Sequence, residues 1–190
     1  MNRRRGLVAA LLALVLLPSC SSLLPSAVQI TESQWHSYDQ ARAAFDAIKP
    51  GSTTQAELWQ MGFDPFKYPN IKLLNYLDVT RQFLINDSIH LADLDAEIRS
   101  CIKARTLCQG YEVVLGKSDH ERVGNAFLDI FNFRRKTRTT GWQFRGLIVL
   151  EKDLVVYKIE SGQPVIREFE DKTNPLGPLQ DISLPSPIKY

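Results

Sequence analysis

Three amino-acid types are scarce in this chain: it has three cysteines, three histidines and two methionines among 190 residues. The histidines, His36, His90 and His120, lack the spacing that holds a metal in zinc sites, so the sequence predicts neither a metal centre nor a cofactor. The sequence also lacks a phosphate-cradling glycine loop and a Gly-x-Ser-x-Gly nucleophile motif. We therefore expect a protein that is not an enzyme.

A hydrophobic run long enough to span a bilayer is likewise missing. The strongly apolar stretch covers only Leu7 to Leu17, whereas a membrane-spanning helix needs roughly 20 apolar residues. It follows Arg3, Arg4 and Arg5, and a basic end before a short apolar run is typical of a secretory signal peptide. Residues 1–19 are therefore predicted to direct export and then to be removed.

An excess of charge of one sign is also missing. The chain has 23 basic and 21 acidic residues, but the leader takes three arginines with it, which leaves 20 basic residues against 21 acidic ones. Nucleic-acid binding needs a concentrated positive charge, so no nucleic-acid partner is expected.

The apolar run ends at Leu17-Pro18-Ser19-Cys20, which resembles the lipobox of bacterial lipoproteins. In that class the chain is cut before the cysteine, which is then acylated with palmitate-like chains. Ser21 and Ser22, with no aspartate, resemble the sorting signal for the outer membrane, so the resemblance implies a lipid anchor there, facing the periplasm. The alternatives are an ordinary signal peptide with a chance cysteine, or a buried thiol.

An exported protein meets an oxidising compartment, which favours a disulfide between Cys101 and Cys108. On one unbroken helix these residues would be about 10 Å apart, too far for a disulfide, so the bridge requires a helix to end between them. Two separate buried thiols are the alternative.

The first half of the chain has helical patterns. Residues 20–33 lack periodicity and are predicted to tether the domain to the membrane. A helical stripe follows, formed by Trp35, Tyr38, Ala41, Phe45 and Ile48, and it ends at Pro50-Gly51. Thr54 and Glu57 fit a capping box that opens a short helix, and Gly62 fits its left-handed end.

The segment from Gly51 to Pro65 resembles the Gly-Met-Thr…Leu-Gly-x-Pro segment of the SmpA/OmlA family of outer-membrane lipoproteins, which includes the BamE subunit of the β-barrel assembly machinery. Gly51 and Gly62 stand at the family's separation, while Ser52 replaces its methionine and one extra residue precedes Pro65. The resemblance implies helices packed on an antiparallel sheet, and contact with other envelope proteins. Residues 66–108, predicted to hold helices at 71–84 and from Asn86, would be an insertion.

The second half has strand patterns, at 111–116, 125–135, 141–150, 154–160 and 165–170, with a hairpin at 151–153 and a turn at 161–164. The predicted fold class is therefore α+β, with N-terminal helices packed on a C-terminal antiparallel β-meander in one domain, residues 34–172. Residues 173–190 are predicted to be a proline-rich tail, extended on the surface or disordered, or alternatively a docking segment.

A basic cluster lies at the end of the hairpin predicted from strands 125–135 and 141–150, and aromatic side chains flank it. The candidate contact residues are Arg134, Arg135, Lys136, Arg138, Trp142 and Arg145. Such cations could meet phosphate headgroups or an acidic partner, or they could simply solubilise the hairpin. The function expected from the sequence is a non-enzymatic adaptor in envelope or outer-membrane protein assembly. The alternatives are a protein-inhibitor module and a periplasmic hydrolase.

Overall fold

A computed structural model describes residues 24–86 and 88–181. In chain order its helices and strands are β1 (Ser26–Ile30), α1 (Tyr38–Asp46), α2 (Gln55–Gln60), β2 (Ile71–Asn75), α3 (Tyr76–Phe83), α4 (Ala96–Ala104), β3 (Cys108–Val123), α5 (Ala126–Ile130), β4 (Arg134–Glu151) and β5 (Leu154–Thr173). The predicted signal peptide, Cys20 and residues 182–190 of the predicted tail lie outside the described residues.

The chain divides into two compact units. The larger unit comprises residues 28–119 and 140–167. The smaller unit comprises, within the described residues, 24–27, 120–139 and 168–181. The long strands β3, β4 and β5 contribute residues to both units.

Five strands form the sheet, in the order β1-β3-β4-β5, and β2 also pairs with β3. The β2 pairing is antiparallel, with Ile71 opposite Val113 and Asn75 opposite Gln109. Helices combined with an antiparallel sheet confirm the predicted α+β class. The order of elements is less simple than predicted, because β1 and β2 precede the meander and α5 interrupts it.

Helices cover both faces of the sheet in the larger unit. Successive residues of a strand point to opposite faces, so Ile148 and Val149 of β4 belong to different clusters. Ile148 packs with Phe45 of α1 and Leu58 of α2, whereas Val149 packs with a cluster that includes Val79 of α3 and Cys101 of α4. Residues 66–108, predicted as an insertion, thus supply the second helical layer.

The capping signals in the first half of the sequence are confirmed. Thr54 and Glu57 form both hydrogen bonds of a capping box at the start of α2. Gly62 follows that helix with φ +98°, a conformation that favours glycine. The helical stripe is confirmed at Phe45, which is buried in α1, and Gly51 beyond it also has positive φ.

Four local expectations differ from the structure. Residues 71–84 form β2 before α3, because the Asn75 side chain caps a helix that begins only at Tyr76. The helix expected from Asn86 begins at Ala96. Residues 161–164 continue β5 instead of turning, although Gly162 has φ +152°. Within the stretch predicted as a tether, Ser26–Ile30 forms β1 and Thr31 donates a backbone hydrogen bond to Gly116.

Candidate functional site

The smaller unit holds most of the basic cluster, and its helix α5 occupies the middle of the segment predicted as a strand at 125–135. The Asn125 side chain accepts hydrogen bonds from the amides of Phe127 (2.9 Å) and Leu128 (3.3 Å), which starts the helix. Gly124 before it has φ +112°, and Asn132 after it has φ +56°. These two left-handed residues turn the chain into and out of α5, so the strand prediction is wrong here.

Asp129 anchors α5 to the strands on either side of it. Only 6% of this residue is exposed. Its Oδ1 lies 3.3 Å from Nε of Arg135 and 3.5 Å from Nη1 of Arg122, so two cations neutralise one buried carboxylate. A buried carboxylate without such partners would be strongly unfavourable, and the pairing therefore fixes which face of α5 turns inward.

Asp171 of β5 holds the next part of the basic cluster. The guanidinium of Arg134 donates to both of its carboxylate oxygens, at 2.9 and 2.6 Å, and Nζ of Lys136 lies 3.9 Å away. The Arg134 hydrogen bonds lower the pKa of Asp171 more than desolvation raises it, and Asp171 in turn raises the pKa of Arg134. This bidentate ion pair links β4 to β5, which gives Arg134 a structural role.

The remaining cation of the smaller unit's cluster, Arg138, lies 3.8 Å from Glu121, with both side chains well exposed. All four predicted contact cations of this unit thus face a carboxylate of the same unit. Five cations, counting Arg122, share the three carboxylates Asp129, Asp171 and Glu121, so the cluster keeps a formal excess of two positive charges. Each of these cations is nevertheless held by a carboxylate of its own unit, so contact with a headgroup or an acidic partner would compete with an existing ion pair.

The exposed part of this region is apolar. Phe127, Ile130 and Phe131, here named the α5 patch, are 61%, 67% and 44% exposed. Residues at these spacings share one face of a helix, and the two phenylalanine rings are in tilted contact, with their centroids 4.6 Å apart. The i, i+3, i+4 spacing of these residues in the sequence is compatible with a helix. The alternating phenylalanines at 127, 131 and 133 also fit a strand, so the sequence alone did not identify this surface.

The beginning of the predicted tail belongs to the smaller unit. Asn174 is buried, and its amide donates to the carbonyl of Phe133 at 2.8 Å. Gly177, with φ +53°, comes so close to the Phe133 ring that an added Cβ would lie 2.7 Å from it. Asn174 and Gly177 are therefore packed, while Leu176 and Leu179 are exposed.

Trp142 and Arg145 belong to the larger unit, whereas the other four predicted contact residues belong to the smaller unit. Trp142 is half-buried and packs on the core around Phe144 and Leu115. Arg145 is exposed and lines a groove of about 300 Å³ with Glu112 and Phe83. The six predicted contact residues are thus divided between the two units.

The predicted disulfide is present. Cys101 lies on α4 and Cys108 begins β3, with their Cα atoms 4.9 Å apart. The helix ends at Ala104, and Arg105 turns the chain with φ +50°, as the short separation required. Both cysteines are buried, so the bridge is part of the core below α3 and α4.

The histidines have separate polar surroundings. Nδ1 of His120 lies 3.0 Å from the Thr139 hydroxyl, and Nδ1 of His90 lies 3.6 Å from Asp93. Among residues 24–86 and 88–181, no group of three or more His, Cys, Asp or Glu side chains could hold a metal ion. No helix in the same ranges is long and apolar enough to cross a membrane.

Comparison with known proteins adds no relative to this picture. No protein-family model, no curated protein and no solved structure matches the chain.

Proposed function

We propose that the protein is a lipid-anchored, non-enzymatic binding module at the periplasmic face of the outer membrane. The leader and Cys20 supply the address, and Ser21 and Ser22 favour the outer membrane. The disulfide between Cys101 and Cys108 supports an oxidising compartment. The module acts as an adaptor, because an anchored protein can act by holding another envelope component near the membrane.

The observation that carries this proposal is the α5 patch. Exposed phenylalanines that contact each other form a surface of the kind enriched at interfaces. The ion pairs of Asp129 with Arg122 and Arg135 fix the helix that bears them. A surface fixed before contact loses little conformational entropy on binding, which favours a role in recognition.

The resemblance of residues 51–65 to the SmpA/OmlA lipoproteins supports a role in outer-membrane protein assembly. The β-barrel assembly machinery is therefore the first partner to test. Because the cations of the basic cluster are paired with carboxylates, we propose the α5 patch as the contact surface in their place. Arg134, Arg135, Lys136 and Arg138 then have a structural role, in ion pairs within the unit that carries the patch.

The anchor is tested by metabolic labelling with a palmitate analogue, followed by separation of inner and outer membranes. The wild-type protein should carry label and sediment with the outer membrane. Cys20→Ala should lose both the label and the sedimentation. Ser21→Asp, which keeps the cysteine but introduces the missing aspartate, should be labelled and move to the inner membrane. Unlabelled wild-type protein would refute the anchor.

The partner is tested by a pull-down of the C-terminally tagged protein from gently solubilised envelope, with Cys20→Ala as the control. Enrichment of β-barrel assembly components over that control supports the adaptor role in assembly. If those components stay at background while another envelope protein co-purifies in stoichiometric amount, the assembly role is wrong and that protein defines the function.

A further inference from the structure

The first described residue, Leu24, is only four positions after the predicted lipid anchor, Cys20. Leu24 is only 9% exposed, and β1 starts two residues later at Ser26. Leu24 is the fourth residue after Cys20, and four fully extended residue steps reach about 14 Å. The polar headgroup layer of one leaflet takes up about 6 Å of this reach. An acylated Cys20 would therefore hold Leu24 within about 8 Å of the bilayer surface.

Leu24 belongs to the same compact unit as the α5 patch. The unit that is tied to the membrane is thus the unit that exposes Phe127, Ile130 and Phe131. The arginines near the patch are held in ion pairs, since Asp129 and Asp171 pair with them. The exposed phenylalanines match the chemistry of the bilayer interface, where apolar side chains lie among the headgroups and the upper acyl chains.

We propose that the α5 patch inserts into the interfacial zone of the bilayer that holds the lipid anchor. This inference rests on the lipid anchor in the proposed function. Insertion is apolar in origin, so it does not depend on anionic lipid. A five-residue helix gives little affinity alone, but the short tether turns its contact with the membrane into an intramolecular event at high effective concentration.

The test uses the full mature protein, acylated at Cys20 and reconstituted into vesicles of phosphatidylethanolamine and phosphatidylglycerol. Phe131→Trp places a fluorescent reporter in the patch, and Phe66→Trp is the matched control because Phe66 of the larger unit is 79% exposed. Lipids brominated near the glycerol end of the acyl chain quench tryptophans that enter the interface. Both variants also carry Trp59→Phe, because the rings of Trp59 and Phe66 are in contact, with centroids 6.2 Å apart. The signal of Trp35 and Trp142 is measured on Trp59→Phe alone and subtracted.

Phe131→Trp should be quenched roughly twice as strongly as Phe66→Trp, because only an inserted side chain approaches the bromine atoms. The difference should persist when phosphatidylcholine replaces phosphatidylglycerol. Equal quenching on protein that remains vesicle-bound overturns the inference while leaving the anchor intact, and it assigns the patch to a protein partner. Quenching that requires phosphatidylglycerol overturns the apolar mode. If the protein is not acylated and does not stay on the vesicles, both the proposed anchor and the inference that rests on it are wrong.

Discussion

The carboxylate of Asp129 determines the inward face of α5, because it is the buried charge of that helix and it has two arginine partners. A neutral amide has nearly the same shape but cannot neutralise two guanidinium groups. The patch residues Phe127, Ile130 and Phe131 are apolar and form no ion pair that could hold the helix in place. The orientation of Phe127 and Phe131 therefore depends on a residue that does not itself form the contact surface.

Asp129→Asn should lower the free energy of unfolding by about 1–3 kcal/mol, because it leaves Arg122 and Arg135 without their charged partner. Urea unfolding followed by circular dichroism measures the change. Glu121→Gln is the matched control, since its ion pair with Arg138 is exposed and should cost less than about 0.5 kcal/mol. Equal stability of the Asp129→Asn variant and the wild type would show that these ion pairs do not anchor α5.

Asp171 gives the smaller unit a dependence on acid pH. Its pKa in the folded protein lies below the ordinary value of 3.8, chiefly because Arg134 donates hydrogen bonds to it. Its stabilising contribution is thus fully present above that ordinary value and is lost as the pH falls through the lower folded value. Glu57 also has a lowered pKa, through its hydrogen bonds with Thr54, so acid affects both units.

The comparison of wild type with Asp171→Asn isolates the first effect, because both chains retain Glu57. The wild type should be the more stable protein near neutral pH, and the difference should shrink on acidification below about pH 4. Thermal denaturation at a series of pH values measures it. Stability curves that stay parallel down to the acid limit would contradict a stabilising Arg134–Asp171 pair.

Helix α2 could be predicted from sequence because its signals are local: Thr54, Glu57 and Gly62 specify both ends within nine residues. Helix α5 was not predicted, because the phenylalanines at 127, 131 and 133 alternate as in a strand, and this pattern was preferred to the local cap at Asn125. Arg122 lies on β3 and Arg135 on β4, and their pairing with Asp129 appears only in the folded chain. The exposed α5 patch was therefore missed, while the nearby arginines were recognised.

The segment 66–108 was predicted as an insertion because it does not fit the pattern of the SmpA/OmlA family. Its strand β2 was not predicted, because it pairs with β3, which lies almost forty residues further along the chain, and no short hairpin turn connects the two strands. The apolar residues of α3 and α4 were identified, but not the sheet face that they cover. The disulfide then joins the end of this helical layer to the first residue of β3.

Removing that disulfide should destabilise the larger unit. By loop-closure entropy, the Cys101→Ala, Cys108→Ala double variant should lose about 2–3 kcal/mol of unfolding free energy, since the bridge closes a short loop in the unfolded chain. Thermal melts with and without dithiothreitol measure it. The reductant should lower the melting temperature of the wild type and leave that of the double variant unchanged. A wild-type melting temperature that ignores the reductant, after complete reduction, would contradict this role.

At the scale of the whole molecule, the proposed anchor at Cys20 lies only four positions before the first described residue. Leu24 is already buried, and β1 begins at Ser26. An adaptor with a long flexible linker can search for partners far from the membrane, whereas the proposed anchor at Cys20 would confine this protein near the bilayer. Partners should therefore be membrane components or proteins that approach the membrane surface closely.

The most direct test of a lipid-anchored contact surface is site-specific photocrosslinking in intact cells. Benzoylphenylalanine at position 127 should form adducts with envelope lipid or protein, and these should disappear when Cys20→Ala is combined with it. The same probe at position 66, an exposed phenylalanine of the larger unit, controls for random collision. Adducts at 127 that are absent at 66 and depend on Cys20 are the expected result. Adducts at 127 that are no stronger than at 66, or that persist without Cys20, would show that the α5 patch is not the contact surface of an anchored module.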